Sequence, residues 1–377
     1  MDHNPERQFA PTGRLPAIAY SPNYKWYVVG MLWFTGFFNY ADRQVIFSLF
    51  PLLQKEMSLT PIELGMLGSA FALVYGLCAP FAGNIVDRVR RKSAVLWSLF
   101  AWSMACMATG LARGLSHLVF FRAVLGLSET SYFPAAMSMI SDYHGQKTRS
   151  RAMGSHQTSV YLGTIAGGFL GGMIGQYYGW RWGFAIFGLL GILLGFGLIK
   201  LLVEPRRGYT DLEELGVEEV TAKKTISIAK FLKVIWGTPT LMLLMGAFML
   251  DNFVGMVLLS WMPMFLYEKF SLIISLTVWG LFKGMYDANI FAAALDVVRP
   301  EARGTTVGFM NTIGWLVGAG TAPIFIGYVA QHSSLSFAIS IAALALVIAS
   351  GLLLTAIIFT VRKDVDRLHN TLKAEIK

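Results

Sequence analysis

Of the ionisable residues inside long apolar runs, four stand in two short motifs: Asp42 and Arg43 in Asn39-Tyr-Ala-Asp42-Arg43, and Arg122 and Glu129 in Arg122-Ala-Val-Leu-Gly126-Leu-Ser-Glu129. The runs are blocks of about 20 residues, the length an α-helix needs to cross a bilayer core of about 30 Å. Charge at that depth is expensive and is kept where it handles ions, protons or charged cargo. Asp42 lies about 24 Å along its block from Trp26 at about 1.5 Å per residue, which with tilt is near the midplane. Arg122 and Glu129 are two turns apart and share one helix face. If that face lines a cavity, an anion sits against Arg43 while Asp42 and Glu129 exchange protons. Burial and a nearby guanidinium act in opposite directions on a carboxylate, so conformation and cargo can tune proton affinity. A second reading stays open, in which Asp42 and Arg43 form a neutral pair that holds helices together.

Other polar residues in these blocks suit the hydroxyls of a small substrate: Tyr40, Tyr75, Gln157, Asp287 and Asn311. For the two tyrosines, packing with a satisfied hydroxyl serves equally well. Gly83-Asn-Ile-Val-Asp87-Arg88-Val-Arg-Arg91-Lys92 ends the second block. Its acid and cations can pair with a neighbouring helix end and its dipole and latch one conformation; the alternative is a plain basic loop. Gly163, Gly167, Gly168, Gly171, Gly172 and Gly175 recur at helix-face spacing, which lets helices approach closely. No metal-ligand cluster, nucleotide-binding loop or nucleophile–base set is apparent, so neither an enzyme nor a cofactor is expected.

The elements that must position these residues follow from composition. The 377 residues are 55% apolar and 14% charged, with mean hydropathy +0.55, too apolar for an ordinary soluble domain. Ten blocks are read as helices, at 26–50, 62–86, 93–112, 115–141, 152–177, 182–203, 239–267, 271–297, 304–330 and 334–361. Continuous blocks exclude an alternating-strand barrel. Cys78 and Cys106 both fall within blocks, as packing residues. The predicted organisation is a tail at 1–25, a six-helix bundle at 26–203, a linker at 204–238, a four-helix bundle at 239–361 and a tail at 362–377. Residues 1–25 lack an apolar core, so the first block is expected to be an uncleaved anchor.

The net charge of +9 is a matter of topology. With the N-terminus inside, 24 Lys/Arg fall on inner segments and four on outer ones, which sets both termini in the cytoplasm. A nucleic-acid partner is not expected; the lipid bilayer is.

The two halves show a weak repeat. Ser48-Leu-Phe-Pro51 resembles Ser260-Trp-Met-Pro263 at an offset of 212, and Gly126-Leu-Ser-Glu129 resembles Gly284-Met-Tyr-Asp287 at 158. Further on, Arg149, Gly154 and Gln157 find Arg303, Gly308 and Asn311 at 154. The first two offsets differ by 54 residues, two helices' worth, lost between Ser260 and Asp287. The second half therefore lacks the mates of the second and third blocks, helices eight and nine of a twelve-helix plan.

On these motifs the chain resembles the major facilitator superfamily: Gly83-x-x-x-Asp87-Arg88-x-Arg-Arg91-Lys92, Arg122-x-x-x-Gly126 and Gly179-Trp-Arg-Trp182. Asn39-Tyr-Ala-Asp42-Arg43, Glu129 and Gly284-Met-Tyr-Asp287-Ala-Asn289 resemble its anion:cation symporters, which move sugar acids, hexuronates and other organic anions with protons. The resemblance implies an all-α polytopic membrane protein with two bundles, ten helices arranged six plus four, working by alternating access as a monomer in a bacterial-type inner membrane. It makes Asp42 and Glu129 the proton carriers, and Arg43, Tyr40, Tyr75 and Arg122 the lining of the anion site. Arg90 stands at a glycine position of the loop motif. The first and fourth helices also resemble spinster-type lipid transporters, which keeps an amphiphilic substrate open, as do a transport-inactive chain or a transporter-like receptor.

Overall fold

The computed structural model describes residues 23–205, 233, 235–268, 286, 290, 293–294, 297–298 and 303–367. These form α1 (Tyr24–Ser48), α2 (Phe50–Met57), α3 (Pro61–Arg88), α4 (Arg91–Thr109), α5 (Leu115–Glu129), α6 (Tyr132–Tyr143), α7 (Gln146–Tyr178), α8 (Trp180–Leu201), α9 (Pro239–Glu268), α10 (Arg303–Ile313), α11 (Gly320–His332) and α12 (Leu335–Thr355). The π-helical turn Gly314–Ala319 joins α10 to α11. Among the described residues, five segments are long and apolar enough to cross a membrane: Pro61–Ala79, Trp180–Leu201, Pro239–Phe265, Phe309–His332 and Leu335–Arg367. The predicted block at 271–297 lies almost wholly outside the described residues.

Local chemistry sets the helix limits. Thr60 and Glu63 form a reciprocal capping box that starts α3, with Pro61 at its first position. The block read as one helix at 115–141 is two. Pro134 has no N–H to offer the Thr130 carbonyl, and the Ser128 and Thr130 hydroxyls bond back to Leu125 and Leu127. The helix therefore breaks at Thr130–Ser131, directly after Glu129. Gly179, at φ +90°, reverses the chain between α7 and α8, a conformation that favours glycine.

Glycine spacing brings α7 onto α1. A Cβ at Gly163, Gly167 or Gly175 would lie 2.4 Å from the Phe37 carbonyl, 2.4 Å from the Ala41 carbonyl and 2.2 Å from Leu49. The four-residue period of both helices keeps them in register along this ridge, as the sequence implies. At the end of the bundle carrying Lys25, Arg91 and Lys92, here called the basic end, Glu204 accepts the backbone N–H groups of Arg91 and Lys92 at 2.8 and 2.7 Å. This carboxylate caps α4 with the chain just beyond α8.

The halves meet along α3 and α11, closest toward the end opposite the basic one. A Cβ on Gly65 would lie 2.3 Å from the Pro323 carbonyl oxygen and 2.8 Å from the Ile324 Cα, and Ser69 Oγ accepts the Ile324 N–H at 3.2 Å. Pro263, inside α9, leaves the Leu259 carbonyl without its helical donor. Gln44 Nε2 donates to that carbonyl from α1 at 2.9 Å, and Trp261 Nε1 donates to the Pro323 carbonyl at 3.2 Å.

Because the atoms facing Gly65 are backbone, Gly65→Val is expected to disfavour this closure by about 1–3 kcal/mol, the usual cost of overpacking. With Cys78 and Cys106 replaced by alanine, Ser69→Cys behind the seam should then react faster with a maleimide. Unchanged reactivity would mean that the seam does not gate access.

Candidate functional site

The residues singled out by type converge on Arg43. Its Nε and Nη2 donate to Glu129 Oε2 at 3.0 and 2.5 Å, and Nη2 reaches Asn39 Oδ1 at 3.4 Å. The Glu129 side chain is fully buried and that of Arg43 is 8% exposed. Four rings surround the guanidinium: Tyr40 at 4.4 Å, Phe71 at 4.7 Å, Tyr75 at 5.1 Å and Trp315 at 5.2 Å from its central carbon. Ring faces attract a cation while excluding water. Tyr40 lies on α1, Phe71 and Tyr75 on α3, and Trp315 in the π turn of the second half. Arg43 is thus enclosed by both halves, and such turns recur at functional sites.

Arg122 lies one layer further along. Its Nε donates to the Leu67 carbonyl at 3.2 Å, and the Phe71 and Phe47 rings lie 4.9 and 5.6 Å away. Phe71 is shared by the two guanidiniums. Gly126 positions this layer, since its missing Cβ would sit 2.5 Å from the Phe71 carbonyl, so α5 rests directly on α3. Asp42 turns away from Arg43 and faces Trp102 and Cys106 of α4. Of the two sequence readings, the neutral Asp42–Arg43 pair is therefore corrected: the helix-tying pair is Arg43–Glu129. Neighbouring residues on a helix point about 100° apart, which lets Arg43 face α5 while Asp42 faces α4.

The cluster holds unused hydrogen-bonding capacity. Asn39 Nδ2, Arg43 Nη1, both Arg122 Nη atoms, Glu129 Oε1 and both Asp42 oxygens are buried without a hydrogen-bond partner. A buried polar group left unpaired costs about 1–3 kcal/mol, so this arrangement suits a site that exchanges partners better than a static brace. Chemically it offers donors for an anion and carboxylates for protons.

Other expected residues lie apart. Gln157 and Asn311 are half-buried on α7 and α10, and neither hydrogen-bonds the cluster. Asp287 lies outside the described residues, as do the side chains of Asp87 and Arg88, while Gly83 falls within α3. Arg91 donates to the Ser138 carbonyl at 2.9 Å and pairs with Asp142, both on α6. Sequence reasoning missed Phe71, Trp102 and Trp315 because aromatic residues occur in every block and carry no distinguishing signal.

At the opposite end, on α2, Glu56 accepts the Trp180 indole N–H at 2.7 Å and pairs with Arg181, whose guanidinium lies 4.2 Å from the Trp180 ring centre. The Arg181 hydrogen bond, helped by Trp180 and by the arginine's charge, holds the Glu56 carboxyl below the usual carboxylate range against a smaller burial effect. A depressed folded-state pKa stabilises above the unfolded value and is lost as pH falls through the folded one. Both side chains are about half exposed, so the pair contributes about 1 kcal/mol or less. Thermal unfolding should show Glu56→Gln less stable than the parent at pH 7, with the two converging as pH falls below the usual carboxylate range. A constant difference across that range would remove the carboxylate from the account.

Known proteins place this geometry. The profile of the Major Facilitator Superfamily matches residues 32–272. Protein spinster of Drosophila melanogaster is 27% identical over 244 residues, 64% of this chain and 39% of that protein. The D-galactonate transporter of Escherichia coli O6:H1 is 29% identical over 193 residues, 51% of this chain and 45% of that one. The probable L-galactonate transporter of Escherichia coli K12 is 26% identical over 302 residues, 78% and 62% of the two chains. The chain thus spans between 39% and 62% of the length of these curated relatives. A crystal structure of a bacterial homolog to human lysosomal transporter Spinster, inward-facing and unoccupied, superposes with a TM-score of 0.74 at 21% identity, covering 88% of this chain and 97% of that one. With more than half of its length matched by the profile, and with this helical fold, the chain belongs to the Major Facilitator Superfamily.

Proposed function

We propose that the chain is a secondary transporter that moves a small organic anion, a sugar acid or similar carboxylate, together with protons by alternating access. The observation that carries this reading is the buried Arg43–Glu129 pair, ringed by aromatic residues from both halves and flanked by unpartnered donors. A substrate carboxylate competes with Glu129 for Arg43, and protonating Glu129 weakens the competitor. Anion and proton thus favour each other at one guanidinium. Asp42, facing α4 instead, offers a second proton position outside that competition. Relatives named for galactonate transport support the anion class.

The same reading puts the basic end, both termini and the Arg91 latch in the cytoplasm of a bacterial-type inner membrane. The seam at Gly65, Trp261 and Pro323 is then the outer gate, closed here. Transport is expected from a monomer without a cofactor. The test is uptake of labelled D-galactonate, D-glucuronate and D-glucarate into liposomes containing the protein, with and without an inward proton gradient. Concentrative uptake that collapses with the gradient supports symport; equal uptake in both conditions refutes it. The spinster relative and the four rings about Arg43 favour a second reading, an amphiphilic lipid anion. Exchange of a labelled lysophospholipid, with none of the sugar acids, would select it.

A further inference from the structure

One buried titratable side chain has no part in the exchange at Arg43. His156 of α7 is fully buried against α1 and α6. Its Nε2 lies 2.9 Å from Tyr132 Oη, which lies 2.7 Å from the Leu32 carbonyl oxygen. A carbonyl only accepts, so the single Tyr132 O–H proton goes to Leu32, and His156 must donate Nε2–H to the tyrosine oxygen. That assigns the tautomer from the hydrogen-bond network. Nδ1 is left with a bare lone pair, buried and without a partner.

The surroundings are built for this group. A Cβ on Gly36 would lie 2.5 Å from Ser159 Oγ, 3.1 Å from Tyr132 Oη and 3.2 Å from His156 Nε2, so a side chain at this point of α1 would crowd the node, about one turn from Asn39 and Tyr40. Tyr132 opens α6 just across the break from Glu129, the last residue of α5. Its ring meets Trp102 edge-on at 5.3 Å, and Trp102 is the ring that Asp42 faces. Tyr132 thus links the node to the ring that Asp42 faces and to the helix end that carries Glu129, and Leu32 lies ten residues from Asp42 toward the basic end of α1. From α1, Leu32 and Gly36 face His156; from α6, Tyr132 and the Phe133 ring at 6.3 Å; on α7, Ser159 donates to its carbonyl at 2.6 Å. Tyr132 is the titratable group among them. A histidine that merely tied three helices together would need Nε2 alone and would leave no reason for a bare, buried Nδ1.

We propose that His156 Nδ1 is the station through which the carried proton leaves the Asp42–Glu129 cluster for the cytoplasm. The inference rests on the symport reading above. The O–H bond of a protonated carboxyl breaks, the proton crosses through bridging water, and an N–H bond forms at Nδ1, leaving a carboxylate and an imidazolium. The N–H bond then breaks toward cytoplasmic water and restores the neutral ring. His156 needs no contact with the anion.

The test pairs transport with spectroscopy on the full chain. His156→Gln keeps an N–H for Tyr132 but cannot take up a proton; it is expected to lower gradient-driven uptake of the transported sugar acid more than tenfold and to leave gradient-free exchange within twofold. His156→Phe should match it, with folding checked by the thermal transition. In 15N-histidine spectra, the signal missing from His156→Gln should report the Nε2–H tautomer and titrate reversibly, with a midpoint that moves in Asp42→Asn or Glu129→Gln. Gradient-driven uptake that survives His156→Gln would overturn the inference alone. A parallel loss of uptake and exchange, or a ring that never titrates or ignores both carboxylate substitutions, would do the same. Equal uptake with and without the gradient in the parent would overturn the symport reading, and this inference with it.

Discussion

Glu129→Gln is expected to abolish gradient-driven accumulation while leaving exchange of substrate across the membrane intact. The carboxamide mimics the protonated acid in shape and neutrality but cannot release a proton, so the loss should be roughly 100-fold or more, the low end of what a positioned proton-transfer group contributes. The geometry adds a second, opposite effect. Glu129 is the residue bonded to both Nε and Nη2 of Arg43, and removing its charge leaves the guanidinium without an anion in a box of four rings. Substrate affinity in the variant should therefore rise while coupled transport falls. Binding to the purified protein and counterflow in liposomes separate the two effects. Retained uphill uptake would remove Glu129 from the proton path; tighter binding without exchange would mean that the carboxylate is needed for the conformational change itself.

Much of this site was legible because bilayers penalise charge. Asp42, Arg43, Arg122 and Glu129 could be selected by type and depth alone, and the structure buries all four. The apolar blocks likewise match the described helices closely, as at Pro61–Arg88 and Trp180–Leu201. What the chain did not reveal depends on which way a side chain turns in three dimensions. Arg43 pairs with a residue 86 positions away rather than with its neighbour. Trp315 reaches Arg43 from the far half, through a π turn that no residue pattern announces. The break after Glu129 was more available: Pro134, with Ser128 and Thr130 before it, is a helix-stop signal within an otherwise continuous apolar block.

The proposed loss of helices eight and nine also meets a length argument. α9 and the α10–α11 segment run in the same direction, with Gly314 against Phe248, Gly318 against Met249 and Pro323 bonded to Trp261. The end of α9 and the start of α10 therefore lie at opposite ends of the bundle, separated by 34 residues of sequence. Three crossings of about 20 residues each need roughly 60. The interval is too short for three such crossings, as the proposed loss of two helices requires.

Arg43→Ala carries the largest expected effect on the fold. Removing one partner of a buried ion pair strands the other, which costs about 3–5 kcal/mol, and the four rings lose their cation as well. The thermal transition in detergent should fall steeply, and anion binding should weaken by roughly 2–4 kcal/mol if the substrate carboxylate pairs with this guanidinium in a dry site. The two losses have different causes, and a second substitution separates them. In Arg43→Ala with Glu129→Gln, no charge is stranded at that position, so stability should recover by about 1–3 kcal/mol, the range of coupling seen between residues in contact. Anion binding should not recover, because the cation is gone. Stability losses that simply add would show that Arg43 and Glu129 do not depend on each other in the folded chain. Recovered stability with unimpaired binding would move the anion site to Arg122, the other buried guanidinium on the Phe71 ring.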